Sequence, residues 1–238
     1  MSQWTEVTVD GVTVDLLPPA GGAPATSAAI LLPDYDGRSA VQFPVLAAAL
    51  ERAALPVLSP RVAQCWWTRQ PDSAKLPTPP LEFVRTSLCG FVSREWNVEP
   101  PAVGMGGIGT GGQGALQVAY RHARTFPIVA AIAPAIDFHA WYGRGLDLDQ
   151  LFDSQEAARQ QTVTLHLHPL NWPRHQYLLC DPADPFWFEG CERLASKLFS
   201  SGIPFEREFE VTADGNRDPY IDLAAERFVR FFTERLVR

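Results

Sequence analysis

The sequence predicts an α/β fold: a mostly parallel central sheet, an antiparallel hairpin at its N-terminal end, and helices on both faces. Three observations predict it. The short run Ser27–Leu32 is apolar without alternation, the pattern of a strand covered on both faces, and His175–Cys180 reads as a further buried strand. These runs alternate with longer stretches of helical period, which is the βα order of a parallel sheet. The 238 residues suffice for one large core, with no internal repeat or break in composition. One domain over 1–238 is expected, with 138–174 as a lid-like excursion.

Each element follows from its residues. Thr5–Val9 and Val12–Leu16 alternate around Asp10-Gly11, a two-residue hairpin turn. A loose linker from Pro18 to Thr26 leads into the strand Ser27–Leu32 and the loop Pro33-Asp34-Tyr35-Asp36-Gly37. Phe43–Ala54 reads as a helix, Leu55–Ser59 as a strand, and Pro60–Pro80 as a long loop carrying Trp66 and Trp67. Leu81–Trp96 is amphipathic and helical. Pro101–Asp137 reads as strand, glycine-crowded turn, helix, and a second strand ending at Asp137. The excursion holds one helix from Leu148 to Gln161 and a short run Val163–His168. Then come a strand to Cys180, a helix Phe188–Ser201 closed by Gly202, a strand Phe205–Val211 and a helix Pro219–Leu236 with proline at its start.

Composition narrows the partners. The net charge of −7 is spread along the chain, and no Lys/Arg block marks a nucleic-acid or membrane face. Met1–Gly11 is polar, without the apolar run of a leader, so a cytoplasmic protein is expected. Cys65, Cys89, Cys180 and Cys191 are too sparse for a disulfide framework and form no C-x-x-C pair. His166 and His168 share a face but have no acidic or cysteine partner at matching spacing, so neither a metal nor a cofactor is expected.

The segment Gly107-Ile108-Gly109-Thr110-Gly111-Gly112-Gln113-Gly114-Ala115-Leu116 has the layout of a nucleophile elbow, the sharp strand-to-helix turn G-x-S-x-G. From about Leu31 onward the chain resembles the esterase D-like, acetyl-esterase branch of the α/β-hydrolases, whose elbow typically reads GHSMGGxGAL. The resemblance implies an α/β-hydrolase fold and ester hydrolysis. It places Gly109 where the nucleophilic serine belongs, Asp184 at the acid (Asp181 second), and Asn216, in Asp214-Gly215-Asn216, at the histidine base of a GGH motif. It also places Leu32-Pro33-Asp34, followed by Tyr35, on the loop that supplies an oxyanion amide from a sequence such as LHG.

These departures remove the chemistry the resemblance implies. A serine triad needs a nucleophilic oxygen and an imidazole that takes and returns its proton. Gly109 has no side chain, an Asn216 amide is no base, and a carboxylate at Asp34 opposes developing negative charge unless it points away. The reading is a degenerate triad on a retained fold, a pseudo-esterase with a cleft for a small carbonyl or anionic ligand, or an interaction module that includes a homo-oligomer. Free amides after Gly109 would serve such an anion.

Two alternatives stay open. One is an ester hydrolase with a non-standard nucleophile: Thr110, which reads more simply as the helix N-cap, served by His139. Trp66 and Trp67 would then line the pocket or anchor its loops. The other is NAD(P) binding. Gly104-x-Gly106-x-x-Gly109 and Gly107-x-Gly109-x-x-Gly112 both satisfy G-x-G-x-x-G, with Asp137 at the next strand end as the ribose acid.

Overall fold

The computed structural model describes residues 3–236. Eight strands form one sheet in the order β1-β2-β4-β3-β5-β6-β7-β8. β1 (Thr5–Val9) and β2 (Val12–Leu17) make the expected hairpin, and Asp10 and Gly11 supply the two positive φ angles its turn requires, 46° and 83°. β2 runs antiparallel to β4 (Val57–Pro60), and every later pairing is parallel. β3 (Ala28–Leu32), β5 (Val103–Ile108) and β6 (Ile128–Ile132) are buried throughout, as inner strands with helices on both faces must be. β7 (His175–Leu179) leads to β8 (Glu206–Glu208), a short and largely exposed edge. The predicted strand over 205–211 shrinks to these three residues because an edge strand has a partner on one side only.

β5 shows how the layers meet. On one of its faces a Cβ at Gly104 or Gly106 would press into Phe232 or Phe228 of α8 (Arg217–Leu236). Its other face carries Gly107, where a Cβ would overlap the Gly111 backbone of α4 (Gly109–Arg121). Glycine thus lets both helices lie close against the central strand. α1 (Pro44–Ala53) packs beside α8. The predicted helix over 81–96 forms as α2 (Pro80–Phe83) and α3 (Cys89–Trp96), joined by a wide helical turn, Val84–Leu88.

The excursion departs from the expectation. The single helix over 148–161 is two, α5 (Leu148–Leu151) and α6 (Gln155–Arg159). Phe152 leaves helical conformation to bury its ring, and Ser154 starts a new helix by accepting the Ala157 amide at 3.1 Å. The run Val163–His166 is a short 3-10 turn. β6 ends at Ile132, so Asp137 lies five residues past the strand rather than at its end. α7 (Phe188–Ser200) then packs its Gly190 against Ile136 and Asp137. All four cysteines are buried and unpaired, and no helix among the described residues is long and apolar enough to cross a membrane.

Candidate functional site

At the elbow β5 passes directly into α4, and the joint is Gly109 at φ +54°. That left-handed conformation costs an L-residue about 1–3 kcal/mol and glycine little. Two residues on, a Cβ at Gly111 would overlap the Leu32 carbonyl, so the first helical turn lies tight against the end of β3. This close approach brings the loop after β3 over the elbow.

The space a nucleophile's side chain would fill is taken by Asp34. A Cβ built on Gly109 would overlap the Asp34 carboxyl carbon and both its oxygens. Asp34 Oδ1 accepts the Tyr35 amide at 2.7 Å and the Thr110 amide at 2.8 Å. These amides, one from the β3 loop and one from the residue after the elbow, are the pair that forms an oxyanion hole at such a turn, at the separations that role requires. Asp34 Oδ2 pairs with Arg217 Nη2 at 3.0 Å, and the carboxylate is 5% exposed. The chain's own carboxylate therefore occupies the anion position.

A charge network fastens this plug. Arg217 also reaches Asp36 at 3.2 Å, and Arg38 joins Asp36 at 2.8 Å to Asp218 through two bonds of 2.7 and 2.9 Å. Burial works to raise the Asp36 carboxyl, but its bonds to Arg38 and the Arg217 charge outweigh it and hold it below its usual value. The β3 loop is thus tied to the start of α8, where the base was expected. Asn216 is exposed and turns its amide back to the Ala213 carbonyl at 2.9 Å.

The mostly parallel sheet with β2 reversed, the order β4-β3-β5 at its centre, and a strand-to-helix elbow on β5 define the architecture. Solved structures share it over nearly the whole chain. An S-formylglutathione hydrolase from Agrobacterium tumefaciens superposes with a TM-score of 0.75 at 12% identity, covering 98% of this chain and 94% of that one. MPT51 (FbpC1) of Mycobacterium tuberculosis gives 0.75 at 15%, covering 98% and 100%. A fluorophosphonate-binding serine hydrolase, FphF of Staphylococcus aureus, gives 0.73 at 12%, covering 98% and 97%. The chain has the α/β-hydrolase fold. No protein-family model matches its sequence, and no curated protein does.

On this α/β-hydrolase scaffold the remaining candidates separate. Asp184 Oδ1 accepts the Phe186 and Trp187 amides at 2.8 and 3.0 Å, capping the turn into α7, and it lines a small pocket with Asn216. Asp181 is buried and accepts four donors: the Ala183, Ala213 and Gly215 amides and the Thr212 hydroxyl, at 2.8 to 3.0 Å. Burial raises its carboxyl, and these bonds overcome burial and lower it. It fixes the loop after β8.

Several expectations are corrected. Thr110 lies within α4 and not at its N-cap, and its hydroxyl is buried without a hydrogen-bond partner. Trp66 and Trp67 are buried at 3% and 0% exposure and do not line an open cleft. The Trp67 indole donates to the Pro33 carbonyl at 3.1 Å, and its ring needs the space left by Gly114. Trp66 donates to Asp147 Oδ1 at 3.0 Å and packs on Tyr35 and Phe138. Asp147 also takes the Tyr35 hydroxyl at 2.7 Å and pairs with Lys75, so the excursion is clamped over the β3 loop. His139 lines a separate cavity with Arg159, Thr162 and Arg193, and burial lowers its pKa. Of the amides after Gly109 expected to be free for an anion, that of Thr110 is bonded to Asp34. That carboxylate also lies against the start of the helix, and Asp137 is paired with Arg193.

Sequence reasoning missed Arg217 as the partner of Asp34. The available signal was a cation next to Asn216 in a chain whose β3 loop carries two carboxylates, Asp34 and Asp36.

Proposed function

We propose that this protein is a catalytically silent member of the hydrolase-fold proteins, an esterase-like scaffold whose cleft is closed and whose surface serves as an interaction module. The observation that carries the reading is the Asp34 carboxylate bonded to both oxyanion amides over Gly109. A tetrahedral oxyanion entering there would meet a negative charge with its donors already used. Residue 109 offers no nucleophile, Thr110 is buried, and Asn216 accepts no proton. The structural neighbours are named as hydrolases, which makes acyl-ester hydrolysis the reaction to test.

The contact surface is the aromatic lip beside the closed cleft. There Trp141 stacks near Phe186 and Trp187 at 5.5 and 5.8 Å, with Phe186 59% exposed. A second copy of the chain is the simplest partner for it. Four buried thiols suit a reducing, cytoplasmic setting.

The test is turnover of a short-chain chromogenic ester. The wild type and the Gly109→Ser, Asn216→His double variant are expected to be inert, the latter because the serine and the Asp34 carboxyl group compete for one space and the elbow is distorted. Adding Asp34→Gly is expected to open the two amides and give measurable hydrolysis. Turnover by the wild type, or a covalent fluorophosphonate adduct on it in intact mass, would overturn the reading.

A further inference from the structure

At the far end of α4 the structure opens a groove of about 1170 Å³. With about 1.5 Å of rise per residue, Arg121 at the helix C-terminus lies about 18 Å along the axis from Gly109. The groove is separate from the elbow and independent of the reading given for it. Four guanidinium groups line it from four segments: Arg69 of the loop after β4, Arg85 of the wide turn between α2 and α3, Arg121, and Arg124 just beyond α4. His122, His166 and His168 add imidazoles, and Glu82 is the one carboxylate.

These arginines converge on one groove without ion-pair partners, whereas the other unpaired arginines among the described residues, Arg94, Arg144, Arg174 and Arg207, line no pocket with them. Many guanidinium groups elsewhere are held by acids: Arg61 to Asp15, Arg38 to Asp218, Arg193 to Asp137, Arg217 to Asp34, Arg235 to Glu206. Among the described residues, none of the four groove arginines has a carboxylate within ion-pair distance. Arg121, half-buried, donates to Gln117 Oε1 at 3.0 Å and meets His166 Nε2 at 2.5 Å. Arginine can only donate, so that imidazole nitrogen accepts and His166 is neutral. Consistently, burial and the Arg121 charge push His166 down to about 4, and burial with the Arg69 charge brings Arg121 down to about 10.

Concentrated, uncompensated positive charge in a concave site attracts anions. Guanidinium forks match phosphate oxygens in pairs, and several converging from different segments favour a ligand with more than one phosphate. Leu81 and Val118 add apolar lining, and the one phenol ring, Tyr120, is buried with its hydroxyl on Gln176 at 2.6 Å. No exposed Phe, Tyr or Trp ring lines the groove, and the chain's net charge of −7 repels a long polyanion beyond the groove. We propose that this groove binds a small organic or inorganic ligand bearing two or more linked phosphate groups, held by Arg69, Arg85, Arg121 and Arg124.

The experiment is calorimetric titration of the full chain with sodium tripolyphosphate, magnesium-free, at about 150 mM salt, beside sulfate at equal ionic strength. Tripolyphosphate is expected to bind at least about tenfold more tightly than sulfate, and Arg69→Gln, Arg124→Gln to weaken it at least about tenfold, since charge-assisted bonds are lost. Both side chains are exposed, and unchanged circular dichroism and denaturation midpoint verify folding. Arg85→Gln serves as an independent second variant with the same expectation, and Arg52→Gln, whose partner Glu226 lies elsewhere, is expected to leave binding unchanged. Binding that is absent at millimolar tripolyphosphate, that matches sulfate, or that ignores the Arg69, Arg124 and Arg85 variants overturns the proposal. So does tighter binding of a single-stranded oligonucleotide, which would assign the groove to nucleic acid.

Discussion

Placing serine at the elbow is predicted to damage the protein unless Asp34 is removed first. Gly109→Ser acts through two effects that can be separated. The φ of +54° adds strain of about 1–3 kcal/mol for any L-residue. The new Cβ also overlaps the Asp34 carboxyl group and expels it from two amide bonds of 2.7 and 2.8 Å and from Arg217. A hydrogen bond to a charged group contributes about 1.5–3 kcal/mol, and water or the serine hydroxyl recovers part of it, so expulsion adds about 2–3 kcal/mol. The single variant is expected to lose about 3–6 kcal/mol in urea denaturation, a large share of the ~5–15 kcal/mol typical of a folded domain. Asp34→Gly alone removes the plug and costs about 2–4 kcal/mol by the same bonds. In the double variant the overlap has already gone, and only strain is added. The cycle should therefore show a coupling of about 2 kcal/mol or more, with the double variant more stable than the sum of the singles. Gly109→Ala should behave like Gly109→Ser, because the effect arises at Cβ. Costs that add to within about 0.5 kcal/mol, or a Gly109→Ser protein as stable as the wild type, would refute the placement of Asp34 over the elbow.

Two further predictions follow from the same loops. Asp181→Asn is expected to cost about 2–4 kcal/mol at neutral pH, because its four donors lose a charged acceptor. The Asp181 carboxyl is lowered in the folded chain, so its contribution is present above the unfolded value of about 3.9 and is lost as pH falls through the folded one. The variant should accordingly show a flatter acid limb in a denaturation series taken downward from about pH 5, and an unchanged limb would count against the assignment. Light scattering reads the aromatic lip: a homo-oligomer that Phe186→Ser dissociates supports self-association there, and a monodisperse monomer at high micromolar concentration excludes it.

The sheet was legible because its signals are local. β3, β5 and β6 are uniformly apolar runs, and the Asp10-Gly11 turn carries its own geometry. The excursion was not, because α5 and α6 are separated by Phe152, whose burial with Trp66, Phe138 and Leu148 is a tertiary choice that no local period records. The same division holds at the elbow. Glycine at 109 and asparagine at 216 stand in the sequence, and so does an acid at 34. Which way that acid points depends on the tight contact of Gly111 with Leu32 and on Arg217, over a hundred and eighty residues away in the chain.

Those three positions are coherent only when taken together. A carboxylate in an oxyanion hole is costly if the amides must also serve a substrate, and it requires the nucleophile's Cβ to be absent. Glycine at 109 supplies the space, the amides of Tyr35 and Thr110 and the Arg217 guanidinium supply the bonds, and the absence of a base at 216 leaves no protonated imidazole to compete for the acid. Reverting any one of them alone conflicts with the other two. On this argument the order of substitution matters: Asp34 must leave before a side chain can be placed at position 109.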